Sequence, residues 1–254
     1  MTRELRVAIK AVMEAGTLLQ SKYGRVRAKY KSDGSIVTAA DVESERLIRS
    51  ILKGSFPDDA FLGEEMGHRE GRTGRMWAID PLDGSTNYSI HNPFFSVSIA
   101  LLARDEVLLG VVYYPCQKEL FSAERGWGAR LNGGKIGVSD NGEMGRSMLT
   151  FCHGRDRASI LEISRIFGKM KAVTVKTRQM GAASLELCYV ACGRVDAFVM
   201  IGVSIWDVAA GMLIVKESGG MVTDAMGNDF TSSSSVLLAS NGKLHRRLLR
   251  LLSA

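Results

Sequence analysis

The chain has 254 residues, 46% hydrophobic and 24% charged, which is the balance of a globular protein with a sizeable core and excludes a disordered or fibrous chain. Its net charge of +6 suits an anionic ligand, and no stretch approaches the roughly 20 apolar residues of a membrane span. The opening Met1-Thr2-Arg3-Glu4, with Glu14 inside the apolar periodicity that follows, lacks the unbroken apolar region of a signal peptide, so a cytoplasmic protein with no membrane partner is expected.

From Leu5 to Tyr23 the apolar residues Leu5, Ala8, Val12, Ala15, Leu19 and Tyr23 fall on one face of a predicted amphipathic helix. Arg25, Arg27, Lys29 and Lys31 then alternate with Val26, Ala28 and Tyr30, the period of a strand with one basic face, read most simply as solvated. Asp33-Gly34 marks a turn. Thr38 follows as the N-cap of a helix running to about Lys53, which sets Asp41 in its first turn beside unpaired backbone donors.

An apolar strand is predicted to end at Asp80, where Pro81 interrupts a regular ladder. Phe95 to Leu102 and Val107 to Tyr114 read as a hairpin turning at Ala103-Arg104-Asp105-Glu106. Leu120 to Ala123 and Lys135 to Val138 add short strands around the turn Asn132-Gly133-Gly134. After a strand at Met148 to Cys152 the elements alternate: helix from Ala158 to Phe167, strand from Ala172 to Thr177, helix from Ala183 to Ala191, strand from Val195 to Met200, then helix from Trp206 to Glu217 closed by Gly219-Gly220. Strands at Met221 to Thr223 and Val236 to Ala239 precede a last helix carrying Lys243, His245, Arg246, Arg247 and Arg250. Ser232 to Ser235 reads as a loop. Consecutive strands followed by alternating elements imply an α+β protein with two layered halves, 1–145 and 146–254, and no linker divides the single unit 1–254.

The four cysteines, Cys116, Cys152, Cys188 and Cys192, lack the spacing of a zinc or redox pair. Neither basic cluster carries the interleaved aromatics of a single-strand platform, so no nucleic-acid partner is expected.

The chemistry concentrates in Trp77-Ala78-Ile79-Asp80-Pro81-Leu82-Asp83-Gly84-Ser85-Thr86-Asn87-Tyr88. Asp80 and Asp83 at the mouth of a strand repel one another unless a cation lies between them, and hard oxygen ligands select Mg²⁺, Mn²⁺ or Ca²⁺ over zinc. The amides of Gly84 and Ser85 at a helix start offer a phosphate cradle. Glu64-Glu65 follows the apolar pair Phe61-Leu62, and Asp207 starts a helix in Ile205-Trp206-Asp207-Val208-Ala209-Ala210-Gly211.

In order and spacing, Thr38 to Asp41, Glu64-Glu65, Asp80 to Tyr88 and Trp206 to Gly220 together resemble the inositol monophosphatase family, over nearly the whole chain. The resemblance implies a five-layer αβαβα sandwich, a homodimer, and hydrolysis of a small-molecule phosphate monoester by direct attack of water. It further implies two or three Mg²⁺ ions, with Mn²⁺ as a substitute, held by Glu64, Asp80, the Leu82 carbonyl, Asp83 and Asp207, with Glu64 counted also among the catalytic residues. Asp41 and Ser85 would orient and activate the water; the family usually has Thr at the place of Ser85, so the hydroxyl is kept and a methyl lost. Gly181, Ala183 and Arg155 would face the substrate. Met200 stands where inositol-specific members carry Glu, which removes an acceptor for ring hydroxyls, and Arg155, Arg178 and Lys31 are the cations available for a second phosphate. Inositol monophosphate is the expected substrate. Fructose 1,6-bisphosphate, alone or as a second activity, and histidinol phosphate stay open as alternatives, as does an inactive phosphate- or nucleic-acid-binding protein.

Overall fold

A computed structural model describes residues 1–254 except 32, 33, 35, 105, 232 and 254. The elements in chain order are α1 (Arg3–Lys22), β1 (Lys29–Tyr30), β2 (Ile36–Val37), α2 (Ala39–Ser55), β3 (Ala60–Gly63), β4 (Gly67–Arg69), β5 (Arg75–Asp83), α3 (Ser85–Ser89), β6 (Ser96–Ala103), β7 (Glu106–Tyr114), β8 (Glu119–Glu124), β9 (Ala129–Leu131), β10 (Gly134–Lys135), β11 (Leu149–His153), α4 (Arg157–Val173), β12 (Thr177–Arg178), α5 (Ala183–Ala191), β13 (Ala197–Ile201), α6 (Ile205–Glu217), β14 (Met221–Thr223), β15 (Val236–Ser240) and α7 (His245–Ser253).

An eight-stranded sheet runs β10-β9-β8-β7-β6-β5-β3-β4 and a five-stranded sheet β12-β11-β13-β15-β14. The period of two along each central strand divides its side chains between two cores. Trp77 and Ile79 of β5, Val97, Ile99 and Leu101 of β6, and Leu109 and Val111 of β7 pack under α1 and α2. Ala78, Ala100, Leu102, Val112 and Tyr114 face the other way, into a core shared with α5, α6 and the second sheet. The far side of that sheet packs Leu149, Val199, Ile201 and Leu238 against Ile163, Ile166 and Met170 of α4 and Leu248 of α7. Helices, sheet, helices, sheet and helices make the five αβαβα layers that the resemblance implies.

Helix character follows layer. Outer α1 and α2 bury one stripe each, whereas α6 buries Val208 through Val215 without a break because sheets lie on both of its sides. That layer is thin because glycines allow backbones to touch. A Cβ on Gly110 of β7 would lie 2.6 Å from the Ala210 carbonyl oxygen of α6.

Several boundaries differ from the sequence reading. The basic segment from Arg25 forms a strand only at Lys29–Tyr30, with Arg25, Arg27 and Lys29 exposed. Of the expected strand Ala172 to Thr177, Ala172 and Val173 are the end of α4, whose buried period at Ile163, Ile166 and Met170 carries the helix that far; Thr174 is its C-cap, and only Thr177–Arg178 pairs, as an edge strand. The strand after the Asn132-Gly133 turn stops at Lys135, since Val138 leaves the sheet to bond Ser218 O, and β9 before that turn was unforeseen. β5 runs on to Asp83 instead of ending at Asp80. His245 is no part of the terminal basic face, because it is buried between Thr223 Oγ1 and Ser240 Oγ. The turn at Asp33, Asp105 in the hairpin turn and Ser232 of the serine run lie outside the described residues. Cys188 is buried as a small apolar side chain, and no described helix is long and apolar enough to cross a membrane.

Gly110→Ala should lower stability by about 1–3 kcal/mol, because the added methyl meets backbone that has no room to move. Urea denaturation checks this, and an unchanged midpoint would show that α6 can shift away from β7 freely.

Candidate active site

The site is assembled where strands of the two sheets end and helices begin. Between Asp80 and Asp83 the pairing of β5 with β6 slips, Asp80 facing Ser98 and Asp83 facing Ser96, so one extra residue bulges out of the ladder. Pro81, without an N–H, makes the loss of ladder bonds inexpensive. The Leu82 N–H turns back to Asp80 Oδ1 at 3.0 Å, and Ser44 of α2 donates to the Pro81 carbonyl at 2.8 Å. Gly84 follows at φ +90°, a conformation that favours glycine, and α3 starts at Ser85.

The bulge aims Asp80 into a cavity of about 720 Å³. Glu64, from the turn after β3, and Asp207, from the first turn of α6, reach the same place, and one carboxylate oxygen from each of the three lies within 4.8 Å of the others. Asp83 lines the cavity too, but α5 holds both of its oxygens: Oδ1 accepts from Ala183 N at 3.0 Å, and Oδ2 from Ser184 N at 2.8 Å and Ser184 Oγ at 2.5 Å. It can share a cation only through its remaining lone pairs.

Asp41 takes a different position. It is the third residue of α2 and closes a capping box, its Oδ2 accepting from Thr38 N at 2.8 Å. It is fully buried and meets the cavity through Ser85, whose Oγ lies 2.8 Å from Asp41 Oδ1 and 2.9 Å from Leu82 O. The serine has a single proton, so one of these two oxygens is always without it.

Burial is the main cause that lifts the Asp80 and Asp207 carboxyls well above the ordinary carboxylate range, and neighbouring charges, Glu64 first, add to it. Glu64 is pushed up to about 7 by burial and then by Glu65. Asp41 is raised by burial against the hydrogen bonds from Thr38 and Ser85 that favour its charged form. Acidic oxygens crowded in this way, in a cluster that among the described residues holds no His or Cys, with His153 of the cavity wall turned to Gly154 O and the Cys152 thiol held on Glu186, fit a hard divalent cation.

Every other residue expected at the site also lines the cavity, namely Leu82, Gly84, Ser85, Gly181, Ala183, Arg155 and Met200. Lys31 does too, with its ammonium 2.6 Å from Glu65, and Arg155 reaches Gly34 O at 3.1 Å. Arg178 is the exception: it is exposed on the edge strand and turns to its neighbour's carbonyl, Thr177 O, so it is no candidate for a second phosphate here.

Sequence reasoning missed the residues that hold this set in place. Glu45, fully buried on α2, accepts from Glu65 N at 2.8 Å and Met66 N at 3.2 Å, and so clamps the turn that presents Glu64. Asn87 ties α3 to the segment before α5 by donating to Phe94 O and Met180 O. A signal existed: Asp41, Ser44 and Glu45 occupy the helical face that continues as Ile48 and Leu52, so polar residues stand at core positions.

Fold and site together define a layered α+β protein with an acidic pocket where strand ends and helix starts converge. The chain belongs to the inositol monophosphatase family, whose model matches residues 1–254. It is 38% identical over 251 residues to a fructose-1,6-bisphosphatase/inositol-1-monophosphatase of Thermotoga maritima, covering 98% of this chain and 95% of that one. It is 37% identical over 251 residues to a protein of Pasteurella multocida named Nus factor SuhB, covering 96% and 94%. The crystal structure of the extragenic suppressor protein suhB of Bartonella henselae superposes with a TM-score of 0.94 at 33% identity, covering 99% and 98%.

The raised carboxyls make a stability prediction. Because the folded state keeps protons that the unfolded chain has released, the favourable term is complete below the ordinary Glu value of 4.5 and is lost as pH rises through about 7. Asp207→Asn removes one repelling partner. Without divalent cations at pH 8 it should stabilise the protein by about 1 kcal/mol or more, roughly 2–4 °C in Tm, and the gain should shrink at pH 5.5. Calorimetry at both pH values checks this; an Asn variant no more stable than wild type at pH 8 would contradict it.

Proposed function

We propose that the protein is a Mg²⁺-dependent phosphoric monoester hydrolase acting on a small polyol or sugar phosphate. The observation that carries this reading is the convergence of Glu64, Asp80 and Asp207 within 4.8 Å, an arrangement that repels itself unless cations occupy it. Glu64, Asp80, Asp207, the Leu82 carbonyl and a shared Asp83 would hold the ions. When bound, Mg²⁺ supplies Lewis-acid neutralisation of phosphate charge and makes an attacking water more acidic.

The chain's own residues do the rest. Asp41 Oδ1 accepts the Ser85 hydroxyl proton, which leaves an Oγ lone pair to accept from the attacking water and orient it. Proton transfer from that water to Ser85 Oγ, with the serine's own proton passing to Asp41, moves one proton into a buried carboxyl whose raised affinity suits it as a base. Gly84 and Ser85 receive the phosphate at the start of α3. No protein nucleophile is invoked: the Ser85 proton goes to Asp41 and Oγ takes the water's proton, so the water oxygen bonds phosphorus as the ester P–O bond breaks, and the leaving alkoxide takes a proton from solvent.

On the alcohol side, the thioether of Met200 offers ring hydroxyls almost nothing, while Lys31 and Arg155 bring positive charge to the rim. These features support a sugar bisphosphate such as fructose 1,6-bisphosphate beside inositol monophosphate. The name of the Pasteurella relative supports a second reading, in which the chain acts as a Nus factor by association with other macromolecules.

Asp80→Asn should cut Mg²⁺-dependent phosphate release by at least about 10²–10³-fold with the fold kept; retained turnover would remove the residue from the site. A cellular role that survives in this variant would be the associative one. Ser85→Ala should lower kcat by about 10²-fold with KM nearly unchanged, and equal kcat would mean that the hydroxyl does not orient water. Phosphate release from myo-inositol 1-phosphate, fructose 1,6-bisphosphate and histidinol phosphate, with and without Mg²⁺, identifies the substrate. Turnover of histidinol phosphate alone would overturn the polyol and sugar assignment.

A further inference from the structure

One buried acid plays no part in the steps above. Glu186, in the first turn of α5, is fully buried, and its Oε1 accepts from the Gly181 N–H at 3.0 Å and from the Cys152 thiol at 3.0 Å. Gly181 lies in the segment leading into α5, Cys152 near the end of β11, and both line the cavity; on the hydrolase reading they stand on the side that takes the alcohol part of the ester. The second oxygen, Oε2, makes no hydrogen bond of ordinary geometry among the described residues; the Thr150 hydroxyl, equally buried and equally without such a bond, is the neighbour whose side chain acts on this carboxyl. An orphaned carboxyl oxygen in a core is costly, and leucine would fill the same space without that cost. Packing therefore gives no reason for an acid here, and what remains is the double contact made by Oε1. Burial pushes this carboxyl up to about 8, so near neutral pH it sits as an uncharged acid and needs no counter-cation.

We infer that Glu186 is a positioning residue for substrate selection: from behind the cavity wall it joins the Gly181 segment to the end of β11, and so fixes the gap into which the alcohol part of the ester fits. Helix α5 couples this bracket to the catalytic end. Just before Glu186, the N–H groups of Ala183 and Ser184 hold Asp83, so the same helix carries Asp83 and this bracket through separate contacts, and a change at Glu186 leaves those to Asp83 in place. From the other side the Met180 carbonyl is held by Asn87 at 2.7 Å; the pairing of β12 with β11 stops at Arg178, and beyond it the Glu186 contact links Gly181 to Cys152 of β11. Since the phosphate end is held by different groups, loosening the bracket should degrade recognition of the alcohol and spare the phosphoryl chemistry.

This inference rests on the hydrolase reading, and the test separates the two. Steady-state kinetics in Mg²⁺ compare the better of myo-inositol 1-phosphate and fructose 1,6-bisphosphate with p-nitrophenyl phosphate, which carries no alcohol hydroxyls. Glu186→Leu should raise KM for the polyol or sugar ester about tenfold while kcat/KM for the aryl ester and inhibition by inorganic phosphate stay within about twofold. Glu186→Gln keeps an acceptor oxygen at Oε1 and should recover the discrimination. Proportional losses on both esters, or a Gln variant as impaired as Leu, would overturn the inference, because either is what a purely structural residue gives. Should Glu186→Leu fail to fold, Cys152→Ala cuts one of the two links and should shift the ratio in the same direction by about threefold; an unshifted ratio there overturns it equally. A wild type inactive on every ester removes the hydrolase reading and this inference together, whereas an active wild type with an unshifted ratio in the variants removes the inference alone.

Discussion

Mutual repulsion among buried carboxylates is the constraint on which the architecture turns. Glu64, Asp80 and Asp207 stand within 4.8 Å of one another, and each is held there from a different element. Left free, these side chains would move apart into water. They do not, because each is fixed at a backbone junction that the sheets and helices make rigid: the turn after β3, the bulge in β5 and the first turn of α6. The cost is carried by the three apolar cores that pack the five layers, and cations repay it when they bind.

The hydrogen-bonding groups around the cluster divide the labour. Helix starts serve as donors: α5 holds Asp83 through two N–H groups, and the box at the start of α2 holds Asp41. Glu45 works in the opposite sense, as an acid accepting the N–H groups of the turn that carries Glu64. Ser85 is the one hydroxyl that connects a buried base, Asp41, to the cavity. On the proposed reading the acids fall into those that would face the ions, one that would receive a proton and those that hold loops, and burial together with hydrogen-bond partners sorts them.

Much of this was legible from residues alone. The period of 3.6 in α1, the β-rich runs of β6 and β7, the cap at Thr38 and the turn at Asn132-Gly133 are local signals that tertiary packing reinforces. Asp80 and Asp83 were legible as two acids crowded at the mouth of an apolar strand, whereas Glu64 and Asp207, each ordinary taken singly, drew their reading from the order and spacing that resemble the family. Strand ends at sheet edges were not: β10 and β12 are cut short by where neighbours pack, which no local pattern records. Nor were Glu45, Ser184 and Glu186, whose partners lie up to 101 residues away in sequence. The basic run from Arg25 illustrates the converse, a regular alternation that pairs only at Lys29–Tyr30, in a two-stranded sheet with β2, and in which only Lys31 reaches the cavity.

The central claim, that the acidic cluster is a cation site kept partly protonated by its own crowding, is tested most directly by calorimetric titration of Mg²⁺ into the protein at pH 7 with inorganic phosphate present. Repeating the titration in two buffers of different ionisation enthalpy counts the protons released. Binding that expels protons from the cluster, and that is lost in Asp80→Asn, is the predicted result. Absence of binding, or binding with no proton release, would contradict the account.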